Sequence, residues 1–258
     1  MRINTYIAHH GIASRREADA LVAAGRVFVN GAPATLGQIV HEHDQVTVAN
    51  HNTKKKRYLL FNKPTGILTH GGNKHEPDVI TFLHTHYNIT NVYPVGRLDK
   101  ASEGLLLLTD DGRVPRELLD PAHGHEREYE VWVDKRVTDS TLHKLSKGIR
   151  IEGYRTKPAK AVRCGTNCFR ITLTEGKKHQ IRRMCAAAGY QVLKLNRIRI
   201  AHLTQDGLAP GQYRALRGAP LTKLLRTLGL SSAAHATSQY TSRYKDASGL
   251  RSGKKRSR

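Results

Sequence analysis

One carboxylate in this sequence stands where it could do chemistry, in the segment VGRLDKASEGLLLL, residues 95–108. Asp99 comes shortly before the apolar residues 105–109, which predict a buried strand closed by DDG. A carboxylate in a half-apolar cleft is costly to ionise unless a cation lies beside it. Once paired, its oxygen can act as a nucleophile or as a base. We therefore expect Asp99 to be the reactive group, with an arginine beside it.

A predicted helix over residues 178–188 offers that arginine. In EGKKHQIRRMCAAAG, apolar residues recur at helical spacing and a glycine follows. Arg182 lies at the edge of this stripe, and its planar guanidinium matches a carboxylate. The sequence thus predicts an Asp99–Arg182 pair. The apolar stripe consists of Ile181, Met184, Cys185 and Ala188.

Two further segments must bring polar groups to the same cleft. NKPTG, residues 62–66, follows a short predicted strand, and its proline and glycine predict a turn. Asn62 and Lys63 therefore stand at a strand end, where functional sites are often built. In REYEVWV, residues 127–133, alternation with period two predicts a strand that presents Tyr129 and Val131 on one face.

The charge of the chain restricts its partners. The 258 residues carry 43 Lys and Arg against 21 Asp and Glu, a formal net charge of +22. Such a balance indicates a polyanionic partner, either nucleic acid or an anionic membrane surface. The sequence has no run of 18 apolar residues that could span a membrane, and its N-terminus does not predict a signal peptide. A membrane-surface protein is disfavoured because no predicted amphipathic helix carries Trp or Phe on its apolar face. Three unevenly spaced cysteines suit a reducing cytoplasm.

The chain divides into four parts by composition. Residues 1–50 are formally neutral, with helix signals before a strand, an Asn-Gly turn and a second strand. Within them, Ser14 and Glu17 predict a capping box. A basic hinge follows at residues 51–57, and residues 58–230 carry the segments described above. Residues 231–258 lack an apolar period and predict a disordered basic tail.

The segment GIASRREADALVAAGRVFVNG, residues 11–31, resembles the small RNA-binding module first seen in the fourth small-subunit ribosomal protein, also called the alpha-L motif. The resemblance covers nearly all of residues 2–48. It implies that Arg15, Arg16 and Arg26 contact RNA backbone. Because the module is neutral, we expect it to bind through a local patch and not through bulk charge.

GRLDKASEGLLLLTDDG resembles the signature of the pseudouridine synthases of the RsuA/RluB/RluE/RluF family. The companion segments NKPTG, EREYEV, EGKKHQIRRM and LNRIRIAHLTQDGLAPGQYRAL are similar to that family too. With the N-terminal module included, the chain most resembles the RluF type over residues 2–217. The resemblance implies an α+β fold, in which a small α/β RNA-binding module precedes a synthase domain with a mixed, mostly antiparallel sheet and flanking helices.

The resemblance also implies roles for particular residues. Asp99 matches the catalytic aspartate, and Tyr129 matches a tyrosine that stacks on the target base. Arg182 matches the arginine that pairs with the aspartate, with Ile181 as a packing residue before it. Arg97 matches an arginine thought to help displace the target base. We interpret Lys63 and Lys177 as phosphate contacts and not as catalysts.

The implied reaction detaches uracil from C1′ of its ribose, rotates it and rejoins it through C5. It needs no cofactor, and the sequence has no P-loop, dinucleotide fingerprint or spaced metal ligands. Whether Asp99 attacks a carbon or abstracts a sugar proton stays open. The expected partner is ribosomal RNA, of the large subunit or of an assembly intermediate, with tRNA as an open addition. We expect a cytoplasmic monomer.

The competing class is a non-catalytic RNA-binding or ribosome-assembly protein, whose second domain would only support the first. The N-terminal module and the basic tail by themselves would allow that interpretation. The joint presence of Arg97, Asp99, Tyr129 and Arg182 favours the enzyme.

Overall fold

The N-terminal module pairs two short helices with a small sheet. The computed structural model describes residues 1–49, 55–73 and 75–230. Residues 51–54 of the predicted hinge and the whole predicted tail, residues 231–258, therefore lie outside the described residues. The module's elements are α1 (Ile3–His9), α2 (Arg15–Ala23), β1 (Val27–Val29), β2 (Ala32–Pro33) and β3 (Val46–Val48).

Helix α2 begins where the sequence predicts. The side-chain oxygen of Ser14 accepts a hydrogen bond from the Glu17 backbone, and the Glu17 carboxylate accepts one from the Ser14 backbone. Strand β1 begins at Val27. The strand β2 was missed by the sequence analysis, because two residues carry no periodicity. It exists through its antiparallel pairing with β1 across a turn in which Asn30 and Gly31 both have positive φ.

The larger domain is built around one sheet that fulfils the prediction of a mixed, mostly antiparallel topology. The elements of this domain are β4 (Tyr58–Lys63), α3 (Val79–Tyr87), β5 (Tyr93–Val95), β6 (Glu103–Thr109), α4 (Arg113–Leu119), β7 (Arg127–Val133), α5 (Asp139–Ser146), β8 (Arg150–Ile151), β9 (Tyr154–Arg155), β10 (Lys160–Gly165), β11 (Cys168–Leu173), α6 (Gln180–Ala187), β12 (Val192–Ile200), β13 (Leu203–Thr204), β14 (Tyr213–Ala215) and α7 (Gly218–Thr227). The strands of the sheet follow the order β10-β11-β7-β12-β6-β4-β14, with β5 paired to β6 and β13 paired to β12. Only the β12–β6 pair among these is parallel.

Strand β6 is buried on both faces, which explains its uninterrupted leucines. Leu105 and Leu107 belong to a cluster with residues of α4 and α7, whereas Leu106 and Leu108 pack with α3. A third cluster joins β7, β11 and β12 to α5 and α6. Tyr129 borders both this third cluster and the α3 cluster, so it lies between the two halves of one sheet face.

A row of paired residues runs across the sheet from β4 to β7. Lys63 on β4 pairs with Gly104 on β6, Gly104 pairs with Arg197 on β12, and Arg197 pairs with Tyr129 on β7. Gly104 has a φ of +116°. A Cβ atom there would lie 2.5 Å from the backbone nitrogen of Arg197 and 2.5 Å from Asn196 Oδ1. Glycine is therefore required for β12 to approach β6 this closely.

Helix α6 is shorter than the predicted 178–188. It begins at Gln180, because His179 adopts a left-handed conformation with φ +53° and ψ +28° and cannot continue a right-handed helix. The predicted stripe is otherwise confirmed, since Ile181, Met184 and Cys185 are buried.

We predict that Gly104→Ala destabilises the protein by about 2–5 kcal/mol, because the new methyl group meets backbone on a neighbouring strand and the positive φ adds strain. Gly207→Ala is the matched control. Its φ is +68° but no atom lies within 4 Å of the new Cβ, so it should cost only about 1 kcal/mol. Urea unfolding of both variants gives the two values. Equal losses would contradict the close approach of the two strands.

Candidate active site

Asp99 lies in the loop that joins β5 to β6, and its side chain is 36% exposed. The loop is held on both sides of the residue. The Leu98 backbone accepts a hydrogen bond from the Thr69 hydroxyl at 2.6 Å and donates one back at 3.0 Å. The Ser102 backbone donates to the Asp99 carbonyl at 3.0 Å. The main chain around this carboxylate is thus fixed while its oxygens stay accessible.

Lys63 holds the end of the same loop that leads into β6. Its side chain is fully buried, and its Nζ donates to the carbonyl oxygens of Ser102 at 2.7 Å and Pro64 at 2.9 Å. Burial lowers the pKa of this amine to about 8, against the opposing effect of the negative charges of Asp99 and Glu103. The prediction that Lys63 contacts phosphate is wrong, because a fully buried amine cannot reach RNA.

Arg182 holds the loop from α6. Its guanidinium donates to the carbonyl oxygen of Ala101 at 3.1 Å and to that of Val192 at 3.2 Å. The predicted ion pair between Arg182 and Asp99 is therefore wrong, because the guanidinium binds these backbone carbonyls instead of the carboxylate. The guanidinium contacts the loop backbone two residues beyond the aspartate. In the described residues the His179 imidazole lies beside the carboxylate, with 3.5 Å between Nε2 and Oδ1.

The remaining predicted residues surround this loop. Arg97 is exposed two positions before Asp99. Tyr129 is half-buried in the row that also contains Lys63. Ile181 is buried in the cluster against which Tyr129 packs. Lys177 is exposed, with its Nζ 4.8 Å from the centre of the Tyr154 ring.

The arginines of the N-terminal module differ in their environment. Arg15 and Arg16 are exposed in the first turn of α2. Arg26 is half-buried, and its Nε and one terminal nitrogen donate to the carbonyl of Ala49 at 3.2 and 3.0 Å. Part of its guanidinium therefore binds the backbone at the end of the module.

Sequence reasoning missed three residues that shape the site: Thr69, Ser102 and His179. Thr69 and Ser102 lie in loops without periodicity, so no local pattern marks them. His179 fell within the predicted helix, and its one sequence signal is its place two residues before Ile181, where the predicted stripe begins. In the described residues, no group of three or more His, Cys, Asp or Glu side chains is placed to hold a metal ion. None of the helices described is long and apolar enough to span a bilayer.

Comparison with known proteins accounts for both domains. Residues 57–187 match the model of the RNA pseudouridylate synthase family, and residues 1–46 match the S4 domain. This chain belongs to the RNA pseudouridylate synthase family. The resemblance seen in GRLDKASEGLLLLTDDG and its companion segments is thereby confirmed, and with it the enzyme class.

Two relatives and one solved structure illustrate the similarity. The dual-specificity RNA pseudouridine synthase RluF of Escherichia coli (strain K12) is 37% identical over 237 residues, which cover 90% of this chain and 81% of the relative. The ribosomal large subunit pseudouridine synthase B of Bacillus subtilis (strain 168) is 36% identical over 224 residues, 83% and 91% of the two chains. A crystal structure of a pseudouridylate synthase is 28% identical, with a TM-score of 0.65 over 87% of this chain and 99% of that one.

We predict that Arg182→Lys lowers turnover by about one to three orders of magnitude, because one ammonium cannot span the Ala101 and Val192 carbonyls as a planar fork does. Arg183→Lys is the matched control, since that neighbour pairs with the exposed Glu152 and lies about 100° further round the helix. Single-turnover rates at saturating enzyme compare the two. A larger loss in Arg183→Lys would refute this assignment.

We also predict that Lys63→Met and Lys177→Met have opposite effects. Loss of the buried amine leaves two carbonyls without their donor, so Lys63→Met should lower stability and turnover but leave the salt dependence of RNA binding unchanged. Lys177→Met should keep turnover and reduce the slope of log K against log salt by about 0.7–0.9, the value of one phosphate contact. Binding titrations over a salt series measure the slopes. A reduced slope for Lys63→Met would place that amine at the RNA.

Proposed function

We propose that this protein isomerises uridine to pseudouridine at particular positions of large-subunit ribosomal RNA. The observation that carries the proposal is the loop of Asp99, a partly exposed carboxylate whose main chain is held by Lys63 of β4, by Arg182 of α6 and by Thr69 of the loop after β4. The choice of RNA is supported by the Bacillus subtilis relative, whose name specifies the large ribosomal subunit.

In this proposal Asp99 acts on the target nucleotide as C1′–N1 breaks, the base rotates and C1′–C5 forms, either by attacking a carbon or by taking a sugar proton. Tyr129 stacks on the displaced base, which must leave its neighbours to reach the carboxylate. Arg97, exposed beside Asp99, fills the space the base leaves. Arg182 and the buried Lys63 keep the loop in position. No step requires a cofactor.

The two domains divide the work. We assign residues 1–50 to RNA binding through Arg15, Arg16 and Arg26, and residues 58–230 to catalysis. Lys177 adds a phosphate contact beside the active-site loop. The net charge of +22 draws the protein towards RNA from a distance. We place the protein in the cytoplasm as a monomer that acts on large-subunit RNA or on an assembly intermediate.

Mapping of pseudouridine in cells with and without the gene tests the proposal. Carbodiimide-blocked primer extension should lose one or a few stops in large-subunit RNA when the gene is deleted. The wild-type gene should restore them. Asp99→Asn should not, since removal of a nucleophile or base lowers turnover by about four orders of magnitude or more.

The same extension on tRNA decides whether tRNA is an additional substrate. Retention of every ribosomal stop in the deletion strain would contradict the choice of RNA. Restoration of the stops by Asp99→Asn would contradict the assignment of the reactive group.

A further inference from the structure

His179 has a left-handed backbone conformation, which is uncommon for residues other than glycine. It lies immediately before α6 with φ +53° and ψ +28°. Its side chain makes no capping hydrogen bond to the helix. The imidazole therefore does not stabilise the start of α6 by capping it.

The surrounding contacts hold this conformation. Glu175 is buried, and its carboxylate accepts hydrogen bonds from the Gln180 side chain at 2.6 Å, the Lys157 backbone at 3.0 Å and the Tyr154 hydroxyl at 2.5 Å. The Gln180 side-chain oxygen in turn accepts from the Lys177 backbone at 2.9 Å. These bonds hold the backbone on both sides of His179, so the position of this residue is determined by a network centred on the buried Glu175 and Gln180.

This position brings the imidazole close to the carboxylate of Asp99. His179 Nε2 lies 3.5 Å from Asp99 Oδ1, and both side chains are open to solvent, at 49% and 36% exposure. Lys63 and Arg182 contact the backbone of the same loop, at the carbonyls of Ser102 and Ala101. They therefore fix its main chain, whereas His179, directly before α6, lies beside a carboxylate oxygen.

We infer that His179 is a positioning residue for the reaction, which orients the carboxylate of Asp99 towards the target nucleotide. This inference rests on the proposed function. The carboxylate can rotate about its side-chain torsions even when the main chain of the loop is fixed. A partner on one of its oxygens limits that rotation, and small misplacements of a reacting group are costly in rate.

Chemical rescue of His179→Gly tests the inference. Glycine accepts the left-handed backbone, so this variant should fold and should leave a space beside Asp99 that imidazole can enter. We expect the single-turnover rate at saturating ribosomal RNA fragment to fall about 10- to 100-fold, with the dissociation constant for RNA changed by less than about twofold. Added imidazole should restore part of the rate. The same imidazole should not affect the wild type or Asp99→Asn.

Asn88→Gly is the matched control. Asn88 has a φ of +52° at the end of α3, so the change has the same backbone effect at a position outside the loop of Asp99. It should leave the rate unchanged with or without imidazole.

Three results would overturn the inference while the wild type remains active: an unchanged rate in His179→Gly, a lowered rate that imidazole does not restore, or weaker RNA binding with a normal rate at saturation. The last would make His179 an RNA contact. Absence of pseudouridine formation by the wild type on ribosomal RNA would instead contradict the proposed function, so the two failures are distinguishable.

Discussion

The site depends on one buried cation. Lys63 is enclosed between β4 and the start of β6, where its amine donates to the carbonyls of Pro64 and Ser102. A buried amine is tolerated only when its protons have acceptors. Here the acceptors lie directly after β4 and directly before β6, in the second case within the loop of Asp99. The interaction that makes Lys63 acceptable in the interior is therefore the same one that fixes the loop of Asp99. Its pKa of about 8 reflects this compromise between burial and nearby negative charge.

A second constraint is the close approach of β6 and β12. Gly104 lets the backbone of Arg197 lie against β6, and Arg197 is buried with its Nε on the Leu105 carbonyl at 2.8 Å. This parallel contact joins the β4 half of the sheet to the half that contains β7 and packs against α6. Tyr129 and Arg182 come from the second half, whereas Lys63 and Asp99 come from the first. The residues of the site come together because these halves meet at the β6–β12 pair.

Charge acts at two distances in this protein. The net charge of +22 works over the range of the screened field and concentrates RNA near the surface. Around Asp99 the basic side chains make local contacts: Lys63 and Arg182 donate to loop carbonyls, and the His179 imidazole lies 3.5 Å from the carboxylate. The net charge thus indicates the partner, whereas the geometry of the site depends on which atom each basic side chain contacts.

The sequence by itself determined the features that arise from neighbouring residues. The Ser14–Glu17 capping box predicts α2, the leucine run predicts β6, and the apolar stripe predicts α6 to within two residues. The motif around Asp99 indicates the reactive group and the family. Tertiary structure alone decided the burial of Lys63 and the true partner of Arg182. The Lys63 amine reaches a carbonyl 39 positions away, and the Arg182 guanidinium reaches one 81 positions away. Local periodicity carries no information about such contacts, because they exist only after β4, β6 and α6 have packed together.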